Sequence, residues 1–155
     1  MSKAILNLGA GNRLMAGAVN HDLAYHRKDL DVCWDLNAIP WPWADETFDE
    51  VWAMAVLEHL IPSLARTMNE IWRITKPDGI AHIKLPYWHA EESYSDPTHL
   101  HFASLGSFDH FDPRTKRGEE YMFYHLSPWL IQEVKTINDP VTSIYGELKK
   151  VTHYG

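Results

Sequence analysis

Leu6-Asn7-Leu8-Gly9-Ala10-Gly11-Asn12 is the stretch on which the reading of this chain turns. Ala4 to Leu8 is a short apolar run with one polar interruption, the pattern of a strand buried inside a parallel sheet. It ends at two glycines one residue apart. Glycine admits positive φ and lets a ligand lie against bare backbone. A strand running into such a turn is where open α/β sheets bind nucleotide-like ligands. The third glycine of the full dinucleotide fingerprint is missing. On its own the pair reads more readily as an ordinary tight turn, and the remaining chain has to decide.

Composition narrows the choice. A chain of 155 residues is expected to be one domain with a real core. An apolar share of 45% and a charged share of 23% are ordinary for a soluble globular protein. The net charge of −7 argues against a protein that coats nucleic acid. Arg27, Lys28, Arg114, Lys116, Arg117, Lys149 and Lys150 are scattered and read as solvated surface. The one cysteine, Cys33, rules out an internal disulfide, suits a reducing compartment and reads as a small core residue. No run approaches the roughly 18 apolar residues of a membrane span, so no membrane partner and a cytoplasmic location are expected. Ten histidines, seven tryptophans and seven tyrosines hint at a built-out site.

Outward from the glycine loop, Val19 to Asp22 reads as a second strand ending in an acid, and Leu30 to Trp34 as a third, followed by Asp35-Leu36. A carboxylate at the end of the strand after a glycine loop can accept hydrogen bonds from ribose hydroxyls. Pro40 and Pro42 make an aromatic loop of Ile39 to Trp43. Asp49 to Met54 is the fourth strand. Pro62-Ser63 opens a helix with Leu64, Met68, Ile71, Trp72 and Thr75 at spacings of three and four. Lys76-Pro77-Asp78-Gly79 supplies its stop and a turn, and Gly79 to Leu85 is the fifth strand. This order is an α/β pattern with a mostly parallel sheet.

Leu6 to Gly11, Asp35-Leu36, Pro40 to Asp49, Val56-Leu57-Glu58-His59-Leu60, then Glu70, Arg73 and Lys76 to Gly79 together resemble a class I S-adenosylmethionine-dependent methyltransferase, as a short, minimal member of the methyltransferase type 11-like group. The resemblance covers about residues 4 to 86. It implies a Rossmann-like sheet of about seven strands, mostly parallel with an antiparallel C-terminal pair, in one domain spanning 1–155. Residues 1–86 would form the cofactor half, and 87–155 the acceptor-side segment and C-terminal edge. It further implies S-adenosyl-L-methionine as cofactor. Gly9, Ala10, Gly11 and Asn12 would lie under its methionine part, Asp22 would hold the ribose hydroxyls, and Asp35 would accept the adenine amino group with Leu36 on the ring. Ala53, Met54 and Ala55 would line the methionine end. Glu58 and His59 follow this site directly, and Glu70 with Arg73 reads as a structural ion pair.

Two departures stand out. Asn7 occupies a position where the family often has an acid; it keeps the acceptor and loses the charge. Only seven residues separate Gly11 from Val19, whereas a parallel crossover usually takes a dozen or more, normally with a helix. The first crossover helix is therefore expected to be missing, and Tyr25 to Asp29 is too short for a full second one. Part of one sheet face is left for aromatic loops or another copy of the chain to cover, and a self-association surface is expected.

Residues 87 to 126 would close over the cofactor from the carboxyl ends of the strands. Asp96, His99 and His101, with Tyr87 beside them, are the candidates for contact with the acceptor or for proton transfer. In an extended segment His99 and His101 would share one side. With Asp96 they have the composition of a two-histidine, one-carboxylate metal set. Loop-fixing hydrogen bonds weigh most for these histidines, acceptor contact next and metal least, so no metal is assigned. The activity expected is methyl transfer by in-line displacement to a small-molecule or protein acceptor, not to nucleic acid. A cofactor-binding interaction module without activity, or a metal-dependent enzyme built on Asp96, His99 and His101, are the other readings. Towards the C-terminus Ser127-Pro128 reads as a helix start, with Trp129, Leu130, Ile131 and Val134 as the buried face. Val141 to Tyr145 and Leu148 to Thr152 read as two strands joined near Gly146, the antiparallel edge pair.

Overall fold

Alternation along the strands sorts the side chains into two unlike faces. A computed structural model describes residues 2–23, 27–139 and 141–152. Strands β1 (Ile5–Leu8), β2 (Val19–Asp22), β3 (Val32–Cys33), β4 (Phe48–Met54), β5 (Thr75–Pro86), β6 (Trp129–Asn138) and β7 (Thr142–Lys150) form one sheet in the order β3-β2-β1-β4-β5-β7-β6. The first five are parallel, and β7 runs antiparallel to both β5 and β6. A seven-strand, mostly parallel sheet with an antiparallel C-terminal pair is found as expected, but that pair is β6 and β7 instead of 141–145 and 148–152. Leu6, Leu8, Val51, Ala53, Ala81, Ile83, Leu85, Ile144 and Leu148 share one face and belong to a single apolar core. The opposite face is polar and aromatic: Asn7, Glu50, Trp52, His82, Lys84 and Tyr145 lie on it, with the His82 ring stacked 3.7 Å from Trp52 and Nδ1 2.7 Å from the Tyr145 hydroxyl.

Helix α1 (Leu64–Ile74) covers the apolar face with Met68, Ile71 and Ile74, all fully buried. Ser63 caps it by accepting from the Arg66 amide, and it ends where Thr75 turns extended and donates its hydroxyl to the Ile71 carbonyl. The Lys76 to Gly79 turn lies inside β5 as an unpaired excursion, because pairing with β4 jumps from Phe48↔Thr75 to Glu50↔Ile80. Glu70 and Arg73 form the expected ion pair at 2.8 Å. Glu70 also accepts the Trp41 amide, and Arg73 donates to the Trp43 and Trp41 carbonyls and to Asp45. The pair thereby fastens the double-proline aromatic loop to α1.

The connection from Gly9 to Ala18 contains no helix, as its length requires. Asn20, 8% exposed, takes the helix's place. Its Oδ1 accepts from Asn7 Nδ2 (3.0 Å) and the Met15 amide (2.8 Å), and its Nδ2 donates to the Met15 and Ala18 carbonyls. Asn7 Nδ2 also donates to the Arg13 carbonyl at 2.9 Å. An acid at position 7 could not make those two donations.

Beyond Lys150, which is 1% exposed with its ammonium on the Thr75 carbonyl and over the Trp72 ring instead of solvated, four sequence expectations need correction. The segment after Pro128 is strand β6 and not a helix. Four of its ten residues, Ile131, Val134, Thr136 and Ile137, are β-branched, and its pairing slips between Ile131 and Glu133. That bulge leaves Ile131 and Val134 both against the core although they are three apart, which imitates helical spacing. Pro128 before the strand costs no ladder hydrogen bond. Next, β7 runs unbroken through Gly146, where a Cβ would stand 2.6 Å from the Phe108 ring; the glycine makes room for that ring instead of a turn. Third, the Leu30 to Trp34 strand shrinks to Val32–Cys33, and on this edge Cys33 is exposed, not core. Fourth, the extended arrangement of 96–101 is absent, as described below. Tyr25 and His26, in the Tyr25 to Asp29 expectation, lie outside the described residues. Among the described residues no helix is long and apolar enough to cross a membrane.

Replacing Asn20 with Ala orphans the Met15 amide and takes from Asn7 Nδ2 one of its two acceptors. We expect a loss of about 2–4 kcal/mol in urea unfolding, whereas a loss below about 0.5 kcal/mol contradicts the role given to Asn20. Burial holds the His82 imidazole below its usual range, against the pull of Glu147 and Glu50. As pH falls from about 6.5 the unfolded chain takes up a proton first, so stability drops through that window. The urea midpoint should therefore fall less between pH 7.5 and 5.5 in His82→Phe than in the wild type; equal falls contradict this.

Candidate functional site

The carboxyl ends of β1, β2, β3 and β4 surround a cavity of about 170 Å³. Gly9, Asp22, Asp35 and Leu36 line it, together with His21, Val56, His59 and Leu60. Gly9 has φ +61°, and a Cβ there would lie 2.4 Å from Val56 Cγ2. Backbone conformation and close approach thus both demand glycine. Gly11 also has positive φ, and its amide donates to Asp22 Oδ2 at 2.7 Å while the Leu23 amide donates to Oδ1. Asp22 therefore ties the glycine loop to the end of the neighbouring strand. Arg27 reaches the Gly11 carbonyl from outside and pairs with Asp29 at 2.7 Å.

Asp35 Oδ1 accepts both the amide and the side-chain nitrogen of Asn37, each at 2.9 Å. Asn37 Oδ1 in turn accepts the Ile61 amide at 2.8 Å, which pins the loop after β3 to the turn after β4. Leu36 is buried, with its carbonyl accepting from the Trp41 indole. Of the other residues expected near a cofactor, Ala10 is buried with its amide on the His21 carbonyl, and Gly11 and Asn12 are exposed on the loop. Ala53 is in the core, Met54 is half-buried, and Ala55 is exposed at φ +61°. None of these lines the cavity.

His21 is a cavity residue that sequence reading passed over as part of a strand. It is 1% exposed, receives the Gly9 amide on Nδ1 and donates Nε2–H to the Trp34 carbonyl at 2.9 Å. Burial holds it below its usual pKa range, so the neutral ring buttresses the glycine loop. The signal available in the sequence was a polar residue two positions into a strand that follows a glycine loop.

The histidine segment folds as turns and does not bring Asp96, His99 and His101 together as a set. His101 Nε2 donates to the Leu60 and Pro62 carbonyls, and Tyr87 is half-buried with its carbonyl accepting from Ser93. His99 points the other way, towards the Glu58-His59 turn (Leu57–His59), its ring centre 4.9 Å from that of His59. Asp96 Oδ2 lies 3.9 Å from His99 Nε2, and Asp96 Oδ1 accepts the Thr98 hydroxyl. Glu58 is 2% exposed, and burial pushes its carboxyl up to about 7. Burial and the neighbouring His99 hold His59 below its usual range.

No curated protein sequence matches the chain. Residues 8–83 match the family described as a methyltransferase domain. Among solved structures, a chain of the Haloferax volcanii complex between the Trm112 methyltransferase activator and a protein described as a methyltransferase superposes with TM-score 0.65 at 16% identity, over 97% of this chain and 83% of that one. An Archaeoglobus fulgidus SAM-dependent methyltransferase gives 0.61 at 15%, over 96% and 86%. The Burkholderia thailandensis 1,6-didemethyltoxoflavin-N1-methyltransferase, solved with that substrate and S-adenosylhomocysteine, gives 0.62 at 13%, over 97% and 72%. At these identities the likeness is one of fold. Residues 8–83 of this chain belong to the methyltransferase domain family, and the chain has the class I S-adenosylmethionine-dependent methyltransferase fold.

Proposed function

We propose that the chain binds S-adenosyl-L-methionine in the cavity at the ends of β1 to β4 and transfers its methyl group to an acceptor presented by residues 87–152. The observation that carries this is convergence. Gly9, Asp22, Asp35 and Leu36, separated by up to 27 positions, line one cavity. The residues suit the group: a bare glycine is where a side chain would fill the cradle, and two carboxylates favour a cationic ligand with hydroxyl and amino donors. When bound, the cofactor supplies a methyl group already activated by the sulfonium. The chain's own task is positioning and exclusion of water. Each Asp22 oxygen that accepts an amide keeps a second lone pair for a ribose hydroxyl. Leu36, Val56 and Leu60 give apolar walls, and His21 holds the loop that bears Gly9.

On the acceptor side, His99 and Asp96 stand beside Glu58 and His59, and we assign this group to acceptor contact, with proton removal left to the Asp96 carboxylate. His101 and Tyr87 hold the segment in place through backbone contacts. Calorimetric titration with S-adenosylhomocysteine and S-adenosylmethionine tests the reading. We expect saturable one-to-one binding, weakened at least about tenfold, or about 1.4 kcal/mol, in Asp22→Ala and in Asp35→Ala. Asp22→Asn, which retains an acceptor for the Gly11 amide, separates ligand contact from loop support. Absence of binding at millimolar ligand, or undiminished binding in both alanine variants, overturns it.

A further inference from the structure

Glu58, His59 and His99 each bring one potential ligand atom within 4.8 Å of the other two. Two segments assemble them: the turn after β4, and residues 96–102, which dock on it through the Leu100 amide donating to the Glu58 carbonyl at 2.6 Å. The outer hydrogen bonds then orient both rings. His99 Nδ1 faces the Ser93 carbonyl at 2.7 Å, and a carbonyl only accepts, so Nδ1 carries the proton. His59 Nδ1 is 2.8 Å from Thr98 Oγ1, whose own proton goes to Asp96 Oδ1 at 2.6 Å. The hydroxyl therefore accepts, and His59 Nδ1 also carries its proton. Whenever either ring is neutral, Nε2 is its lone-pair atom. Such outer donations to a carbonyl and to a carboxylate-linked hydroxyl fix metal-binding histidines in the ligating tautomer.

The third member supplies an independent observation. Glu58 is 98% buried, since 2% of its surface is accessible, and its Oε2 has no hydrogen-bond partner among the described residues. The cluster therefore holds a buried carboxyl oxygen that receives no hydrogen bond from the described residues, in the company of two imidazoles whose Nδ1 atoms are already engaged. That is costly unless a cation sits among them. We infer that Glu58, His59 and His99 bind a divalent transition-metal ion. Two imidazole nitrogens with one carboxylate suit zinc, ferrous iron or cobalt, whereas magnesium and calcium take oxygen ligands. Three protein ligands leave coordination positions open. His59 also lines the cofactor cavity, so the ion would stand at its border, and Asp96, 3.9 Å from His99, adds negative charge nearby. The expected set of Asp96, His99 and His101 thus gives way to one sharing only His99.

The inference does not require the methyl-transfer reading. Full-length protein, freed of metal with a chelator, is titrated with cobalt(II) and zinc(II), followed by cobalt absorption and by elemental analysis after dialysis. We expect one equivalent of ion, with affinity lowered more than about tenfold in the isosteric Glu58→Gln and in His99→Ala. His82→Phe, whose ring stacks on Trp52 outside the set, should bind as the wild type. Substoichiometric ion, or binding that Glu58→Gln and His99→Ala leave intact in folded protein, overturns the site. S-adenosylhomocysteine titration of the same samples keeps the two readings apart. Ion without cofactor analogue overturns methyl transfer alone, and analogue without ion overturns the metal site alone.

Discussion

The arrangement at the carboxyl ends of β1 and β2 rests on the hydrogen bonds between Asn7, Asn20 and the loop that joins their strands. A parallel neighbour normally demands a crossover with a helix, whose own backbone bonds and apolar stripe close the connection. Here ten residues, 9 to 18, must return the chain to the start of the sheet. Their polar backbone groups are met instead by two buried amide side chains. Each bond contributes about 1 kcal/mol net, but leaving a buried partner unmet costs more. The knot therefore acts chiefly as a constraint. It sets β2 beside β1 with Leu6 opposite Val19, and so brings Asp22 to the level of Gly11.

From that register the site follows. Gly9 can approach Val56 because neither strand's end carries bulk between them, and His21 can brace the loop because it occupies the next position on β2 after Asn20. The Glu70–Arg73 pair does comparable work at one remove. It holds the aromatic loop, whose Trp41 indole fixes the Leu36 carbonyl. The histidine segment then closes over the turn after β4. The loss of a helix has not removed the cavity at the strand ends; the loop chemistry has been rewritten to keep it.

Most of the sheet was legible because its parallel strands are short apolar runs punctuated by glycine, proline or an acid. Val19 to Asp22 and the capped helix after Ser63 were readable to the residue or nearly so. The C-terminal strand was not, since a bulge at Ile131 to Glu133 turns period two into an apparent period of three, and Ser127-Pro128 imitates a helix cap. Gly146 looked like a joint because a space for the Phe108 ring and a turn call for the same residue. At the site, the glycines, Asp22, Asp35 and Leu36 could be named from motif order. The partnership of Glu58 and His59 with His99 could not, because it depends on a docking contact, the Leu100 amide on the Glu58 carbonyl, between segments about 40 positions apart. Local spacing favoured His99 with His101, which tertiary packing pulls to opposite partners.

In the proposed function the glycine loop, held by Asn7 and Asn20, forms one wall of a cofactor cleft. Amide chemical-shift mapping by NMR during titration with S-adenosylhomocysteine addresses it most directly. We expect saturable shifts concentrated at Gly9, Gly11, Leu23, Leu36 and Asn37, with the amides of β6 unmoved. Shifts confined to the aromatic cavity around His110 and Tyr121, or none at saturating ligand, would contradict it.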